Sequence, residues 1–311
     1  MSRTSAAAGV SGTADVRGAT ADELTRTAPP RPRARHRRGV GFIVGRVLLY
    51  LMLAALLIPV LFPVYYVFVG TLMEPRELST FPPRLLPTGV HFENVQGALA
   101  AVPLLRMYTN SLVMAGIITV CQLFTSALAA YAFVFLRFRG SAVIFALFLS
   151  TLMVPAEATF IPNYLTLTGW GLGNTYAGLV LPFLAYAFGT FLLRQSFKQF
   201  PRELYDAARI DGMGHLRFLW TILLPLSKPA LTAVGMYVFI TSWNMYFWPL
   251  IITRSTEMQT LQIGLNSLKA GEAANPGLVL AGAALSVIPT LALVIFGQRF
   301  IVRGLTAGAI K

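Results

Sequence analysis

The chain has 311 residues, of which 56% are hydrophobic and only 12% charged, against about 25% charged in a soluble domain. The net charge of +13 would suit nucleic acid, but the basic residues lie in an N-terminal tail and in short segments between long apolar runs. That distribution belongs to a membrane protein and excludes a nucleic-acid partner.

Residues 1–44 are rich in Ala, Thr, Arg and Pro and are expected to form a disordered basic cytoplasmic tail, because they cannot bury a core. The run Arg31, Arg33, Arg35, Arg37 and Arg38 mimics the start of a secretory signal, but the apolar stretch from Val47 to Leu72 exceeds a signal core of about 7–15 residues. It is read as an uncleaved first span that opens a membrane domain over 45–311.

About 20 apolar residues are needed to cross roughly 30 Å of hydrocarbon. Six stretches qualify: 46–72, 107–136, 141–165, 174–194, 229–252 and 277–300. The expected fold class is an all-α membrane protein with six transmembrane helices. Cys121, the single cysteine, lies inside the second stretch and reads as a small buried hydrophobe; alone it forms no internal disulfide and no Cys-based zinc site. Glu157 is the only acid within a stretch. It reads either as a pathway residue or as a partly hydrated group near the outer end of its span. Pro155 and Pro162 flank it, so the third helix is expected to kink or break there.

With the N-terminus inside, 20 of the 25 Lys and Arg fall on the inner side. The outer side keeps Arg76, Arg84, Arg106, Arg254 and Lys269. Both termini are therefore expected in the cytoplasm.

The connection between the fourth and fifth stretches, 199–225, is cytoplasmic on this reading and is not loop-like. Pro201 suits a first helical position and Glu203 complements a positive helix start. Residues 202–211 are expected to form a short helix carrying Ala207 and Ala208. Gly212 is placed to end it in the left-handed conformation. A second helix comes next and stops near Pro225. The fifth stretch closes on Trp243, Asn244, Tyr246, Phe247 and Trp248. Trp248 reads as an interfacial belt residue. Trp243 and Asn244 lie deeper, to line a solute path or to hold helices together.

Here the sequence resembles a known family. Asp206-Ala207-Ala208, three residues, Gly212, nine residues, Ile222, one residue, then Leu224-Pro225 is similar to the "EAA" loop of bacterial ABC importer permeases, with Asp206 where Glu is usual and Glu203 close by. Asn110-Ser111, Pro155-Ala-Glu157 with Ile161-Pro162, Tyr176 to Pro182, Trp243-Asn244 and Trp248-Pro249 also resemble the family. The ending Gln298-Arg299 with Val302-Arg303-Gly304-Leu305-Thr306 resembles its carbohydrate-uptake branch, which includes MalG-type and UgpE-type subunits. The resemblance covers roughly residues 45–311.

It implies a type I ABC importer-like permease in the bacterial plasma membrane that translocates a sugar, oligosaccharide or glycerol-phosphate-like polyol. The elbow would be a coupling helix docking in a groove of an ATP-binding subunit. Ala207 and Ala208 would allow close backbone approach and the Asp206 carboxylate would meet a basic group. Implied partners are a second six-span permease subunit, two ATP-binding subunits holding ATP and Mg, and an external solute-binding protein. No phosphate-cradling Gly-x-x-x-x-Gly-Lys-Ser/Thr segment occurs, so the chain is expected to be a non-catalytic subunit with no cofactor of its own. His36, His91 and His215 are far apart in sequence and read as surface residues rather than metal ligands. A self-sufficient secondary transporter is the competing class; no coupling residue beyond Glu157 and no clear inverted repeat support it. The lack of deep Lys or Arg leans toward neutral sugars over phosphate esters.

Overall fold

A computed structural model describes the backbone of residues 40–270 and 275–307. The tail expected over 1–44 lies outside the described residues as far as 39, as does His36, and Val40 already opens helix α1 (Val40–Thr71). The side chains of the family-like ending 302–306 also lie outside the described ones. Among the described residues every regular element is helical. After α1 come α2 (Pro75–Leu78), α3 (Glu93–Ala101), α4 (Leu104–Phe135), α5 (Ser141–Ser150), α6 (Phe160–Gly169), α7 (Tyr176–Val180) and α8 (Ala187–Lys198). The chain continues through α9 (Arg202–Ile210), α10 (His215–Phe218), α11 (Leu224–Leu226), α12 (Lys228–Trp243), α13 (Phe247–Ile252), α14 (Leu261–Ala270) and α15 (Pro276–Ala307).

The chain divides into two compact units, 1–58 and 59–311. Of the first, the described part is the α1 segment from Val40 to Ile58, exposed from Val44 onward. A helix apolar on every face and buried on none needs an apolar medium or a partner to cover it.

Three helical segments are long and apolar enough to cross a bilayer alone: Val44–Thr71, Leu104–Phe135 and Pro276–Arg299. Three bent pairs pass the same test together. Ser141–Met153 and Ala156–Gly169 meet at 93°, Tyr176–Phe183 and Ala187–Lys198 at 48°, and His215–Leu226 and Lys228–Trp243 at 83°. The first bend falls at Val154 and Pro155, as the proline predicts; Pro162 sits in the first turn of α6, where its missing N–H has no intrahelical partner to lose. Prolines also mark the other two: Pro182 stands in the turn Leu181–Phe183 just before the second bend, and Pro225 and Pro229 flank the third at Ser227, where the second elbow helix is expected to stop. The fifth stretch departs from expectation. It does not run through to 252, because α12 stops at Trp243 and α13 starts only at Phe247. Its 16 residues reach about 24 Å at 1.5 Å per residue.

In the second unit α4 is the central strut, packed chiefly on α8 and α12, with α12 also against α15. Helices α4 and α8 approach closely because Gly189 faces Ser126: a Cβ on Gly189 would come within 2.7 Å of the Ser126 hydroxyl. Cys121 is only half-buried, not the buried hydrophobe expected. Trp248 is likewise no belt residue. It is 0% exposed and its indole N–H donates to Gly178 O at 3.2 Å, because the break after Trp243 turns α13 back into the core.

Breaking a helix in an apolar medium leaves carbonyls without donors. Here side chains supply them. Gln122 Nε2 of α4 donates to Phe183 O at 2.6 Å and Thr125 Oγ1 to Leu184 O at 3.0 Å, both at the bend between α7 and α8. Asn94 Nδ2, buried on α3, donates at 3.0 Å to Thr71 O, on the last residue of α1, and at 2.7 Å to Met73 O just past it. Asn110 and Ser111 on α4 pin the connection after α13. Asn110 Nδ2 donates to Glu257 O and Gln259 O at 2.8 Å each, its Oδ1 accepts from Tyr176 Oη at 2.5 Å, and Ser111 Oγ accepts from Leu261 N at 2.9 Å.

The connection between α1 and α3 is organised by one carboxylate. Glu77 is buried and accepts from the Thr88 hydroxyl, from Thr88 N and Glu74 N at 3.2 Å each, and from Arg84 Nη1 at 3.3 Å. The Thr88 hydroxyl is the main cause holding its carboxyl below the ordinary value, with burial working in the opposite direction.

Replacing Gln122 by Leu should leave Phe183 O unsatisfied and cost about 1–3 kcal/mol, read as a lower thermal midpoint in detergent. An unchanged midpoint would show that the bend does not need this donor. A depressed carboxyl pKa gives stability that is present above the ordinary value of 4.5 and is lost as the pH falls through the lower folded value. Thermal midpoints should therefore drop with acidification below that value, and Glu77→Gln should remove this part of the pH dependence.

Candidate functional site

The candidate site is the elbow from 199 to 225. Pro201 stands one residue before its expected place, as the N-cap, with φ −59° and ψ 124°; α9 begins at Arg202. Glu203 lies in the first turn, where a negative charge meets the positive helix end. The helix stops in a paired carbonyl cap. Gly212 N donates to Arg209 O at 3.1 Å, and Met213 N reaches back to Ala208 O at 2.9 Å. This closure requires a left-handed residue, and Gly212 supplies it with φ +75°. The glycine thus ends the helix where its spacing predicts.

After the cap the chain turns through α10 into a π-helical turn, Leu219–Leu223, where Leu224 N donates to Leu219 O. Pro225 comes next, exposed within α11 (Leu224–Leu226). Proline has no N–H and its ring crowds the carbonyl four residues back, so a widened turn upstream is where the strain is released.

One face of α9 is rooted in an aromatic box. The Tyr205 ring packs on Phe135 at 4.9 Å and on Phe218 at 5.1 Å between centroids. Phe218 meets Phe135 at 5.6 Å and Phe200 at 5.8 Å. Next to it, Tyr131 Oη and His215 Nδ1 are 2.8 Å apart. Ring pairs of this kind contribute about 0.5–1.5 kcal/mol each beyond area burial. The box joins the C-terminal end of α4 to α9 and α10.

The other face is open. Glu203, Asp206 and Ala207 are exposed, and Ile210 is 86% exposed. The two adjacent alanines are split: Ala207 faces outward, whereas Ala208, 5% exposed, packs into the chain's own core. Neighbouring positions on a helix point about 100° apart, so both cannot serve one docking face. Ile222 and Leu224 are half-buried against the same core. The elbow motif thus divides into an outward group (Glu203, Asp206, Ala207) and an inward group (Ala208, Ile222, Leu224), with Gly212 as the hinge between α9 and α10.

The residues expected near a solute path do not gather at one place. Glu157 is exposed on the 3₁₀ turn Ala156–Thr159. Trp243 is 1% exposed, its indole N–H donates to Ser286 O at 3.0 Å, and it stacks on Phe239 at 6.0 Å. It is interior packing, because the end of α12 presses it against α15. Asn244 is exposed at the break and its Oδ1 accepts from Gln262 Nε2 at 3.2 Å. That bond leads to a cavity of about 240 Å³ lined by Tyr246, Gln262, Asn266 and Lys269, in which Asn266 Nδ2 donates to Tyr246 Oη at 3.0 Å. Positions 262, 266 and 269 share one face of α14 by spacing. That polar spacing is present in the sequence, but it stands outside the apolar stretches that mark the spans.

The profile of the family described as "Binding-protein-dependent transport system inner membrane component" matches residues 34–307. The chain is 40% identical over 278 residues to the sn-glycerol-3-phosphate transport system permease protein UgpE of Rhizobium meliloti (strain 1021), covering 86% of this chain and 97% of that one. It is 38% identical to the protein of the same name from Agrobacterium fabrum (strain C58 / ATCC 33970), covering 84% and 96%. In structure it is similar to a chain in the crystal structure of a bacterial ABC transporter involved in the import of the acidic polysaccharide alginate. The TM-score is 0.72 at 24% identity, covering 84% of this chain and 98% of that chain.

A Cβ on Gly212 would meet no atom within 4 Å, so the cost of a side chain there is backbone strain alone. Gly212→Val should therefore leave the rest of the fold intact while opening the cap. A left-handed residue with a Cβ costs about 1–2 kcal/mol, or roughly 5–30-fold faster hydrogen exchange at the Met213 amide. Unchanged exchange there would refute the cap's dependence on glycine.

Proposed function

The chain belongs to the binding-protein-dependent transport system inner membrane component family, and from that membership we propose how its parts work. It is the transmembrane permease subunit of an ABC importer, which displaces the self-sufficient secondary transporter as a reading. The observation that carries this is the family match across 34–307.

Counting each bent pair as one span, the domain over 45–311 crosses the membrane six times. Both termini face the cytoplasm, as the Lys and Arg distribution favours. The elbow is then cytoplasmic, and the open face of α9 is the coupling surface. Glu203, Asp206 and Ala207 meet an ATP-binding subunit, while Ala208, Ile222, Leu224 and the aromatic box carry its displacement into α4. Pro225 and Gly212 fix the angle of the elbow. Two such subunits hold ATP and Mg, a second permease chain completes the path, and an external binding protein delivers the solute. Closure of the ATPase pair would shift the spans between inward-open and outward-open states, because a binding event moves an equilibrium only by favouring one state.

The cargo we assign is a phosphorylated small polyol of the glycerol-phosphate kind. Relatives of that printed name at 38–40% identity support it. So does the α14 stripe: Gln262 and Asn266, beside Asn244 and Tyr246, offer hydrogen bonds to hydroxyls, and Lys269 offers an ammonium to the phosphate. Glu157, exposed on the separate turn Ala156–Thr159, would offer its carboxylate to hydroxyl groups elsewhere along the path. Trp243 backs this surface rather than lining it.

The chain tagged and purified from its host in mild detergent should bring down a P-loop ATPase and a second permease. A chain that repeatedly purifies alone and folded would overturn the importer assembly. In the reconstituted importer, Lys269→Gln should weaken uptake of the phosphate ester by about tenfold or more, the scale of one hydrogen bond to a charged group. Equal uptake by wild type and variant would remove Lys269 from the path.

A further inference from the structure

A second polar cavity, of about 360 Å³, lies at the root of α9. Three cations line it from three separate parts of the chain: Arg137 beyond the end of α4, Lys198 at the last residue of α8, and Arg202 at the first residue of α9. Among the described residues none of the three has a carboxylate within ion-pairing distance. Asp206, on the next turn of α9, is the one acid in the lining. On the other side the lining is apolar, from Phe133 and Val134 in the last turn of α4.

Two features separate this crevice from an ordinary basic rim. Inner-side bias explains how many cations a connection carries, but not why three converge on one cavity. Arg202 also stands where a cation is unfavourable, at the positive end of its own helix, so helix stability does not account for it. A cationic rim above an aromatic and aliphatic floor suits an anion whose other end is apolar, or a small anion held by the rim alone.

We propose that this crevice binds a phosphate group and that its occupancy stiffens the root of the elbow. The inference rests on the cytoplasmic placement of the elbow proposed above. A phosphate seated among Arg137, Lys198 and Arg202 ties the ends of α4 and α8 to the start of α9. It also repels the Asp206 carboxylate from the crevice, toward the open face of the helix. The two sources with this chemistry are the headgroup of an anionic phospholipid in the inner leaflet and free inorganic phosphate.

The test uses the purified importer complex in nanodiscs of phosphatidylcholine alone, of phosphatidylcholine with phosphatidylglycerol, and of phosphatidylcholine with inorganic phosphate in the buffer. Hydrogen exchange is followed across 198–206. Slowing with phosphatidylglycerol only assigns the crevice to a lipid; slowing with inorganic phosphate assigns it to the free anion. The double variant Arg137→Gln, Lys198→Gln should lose the effect, at about fivefold in apparent affinity for each cation removed. The charge-keeping pair Arg137→Lys, Lys198→Arg should retain it and so separates lost charge from lost folding. No slowing with either phosphate source, or equal slowing in the double Gln variant, overturns the site. Orientation is read separately, by impermeant thiol labelling of Arg139→Cys in a Cys121→Ser background. Labelling from the outside would sink the cytoplasmic placement without deciding whether the crevice holds an anion.

Discussion

A backbone carbonyl released by a broken helix in an apolar medium must find a donor, and the packing of this chain is organised around that demand. The bend between α7 and α8 frees the carbonyls of Phe183 and Leu184, and α4 answers with Gln122 and Thr125. At the break after α12 the bonds run outward: Trp243 and Trp248, on either side of it, donate to Ser286 O of α15 and Gly178 O of α7. The long helix α4 is therefore more than a span. Its polar side chains at 110, 111, 122 and 125 act along its length as donors and acceptors for neighbouring segments that are not fully helical.

That arrangement bears on how force would travel. A motion at the elbow reaches α4 through the contacts of Tyr205 and Phe218 with Phe135. From α4 it meets the bend between α7 and α8 through Gln122 and the connection after α13 through Asn110. Close-packed rings transmit displacement because they have little room to rearrange. An elbow held only by loop backbone would absorb the same push. On the proposed reading, the inward half of the elbow motif matters as much as the half that meets the ATPase.

How much of this can be read in the sequence depends on what sets each feature. Gly212 is legible because a left-handed cap is a local demand that few residues meet. The break at Val154 and Pro155 is legible for the same reason: proline alone removes the donor. The bend at 226–228 is legible as well, because it falls between Pro225 and Pro229. The donor that holds the bend at 183–187 and the interior place of Trp248 are not legible, because both are set by partners far along the chain, Gln122 and Gly178. The alanine pair shows the same limit from the other side. The spacing identifies Ala207 and Ala208 together, but which of them faces out is decided by where the aromatic box holds Tyr205.

The cargo presents the sharpest apparent conflict. The absence of deep Lys or Arg leans toward a neutral sugar, whereas the relatives carry a glycerol-phosphate name. The conflict lies in the assumption that an anion needs a fixed cation at mid-membrane. A path must bind its solute well enough to admit it and weakly enough to release it. A buried lysine facing a phosphate in a low dielectric would make a strong pair and hold the solute in place. An exposed ammonium such as Lys269, next to groups suited to hydroxyls, attracts the same anion at a cost that water can offset on release. Apolar spans without deep charge are thus compatible with an anionic cargo, provided the cation sits at the end of the path rather than in its middle.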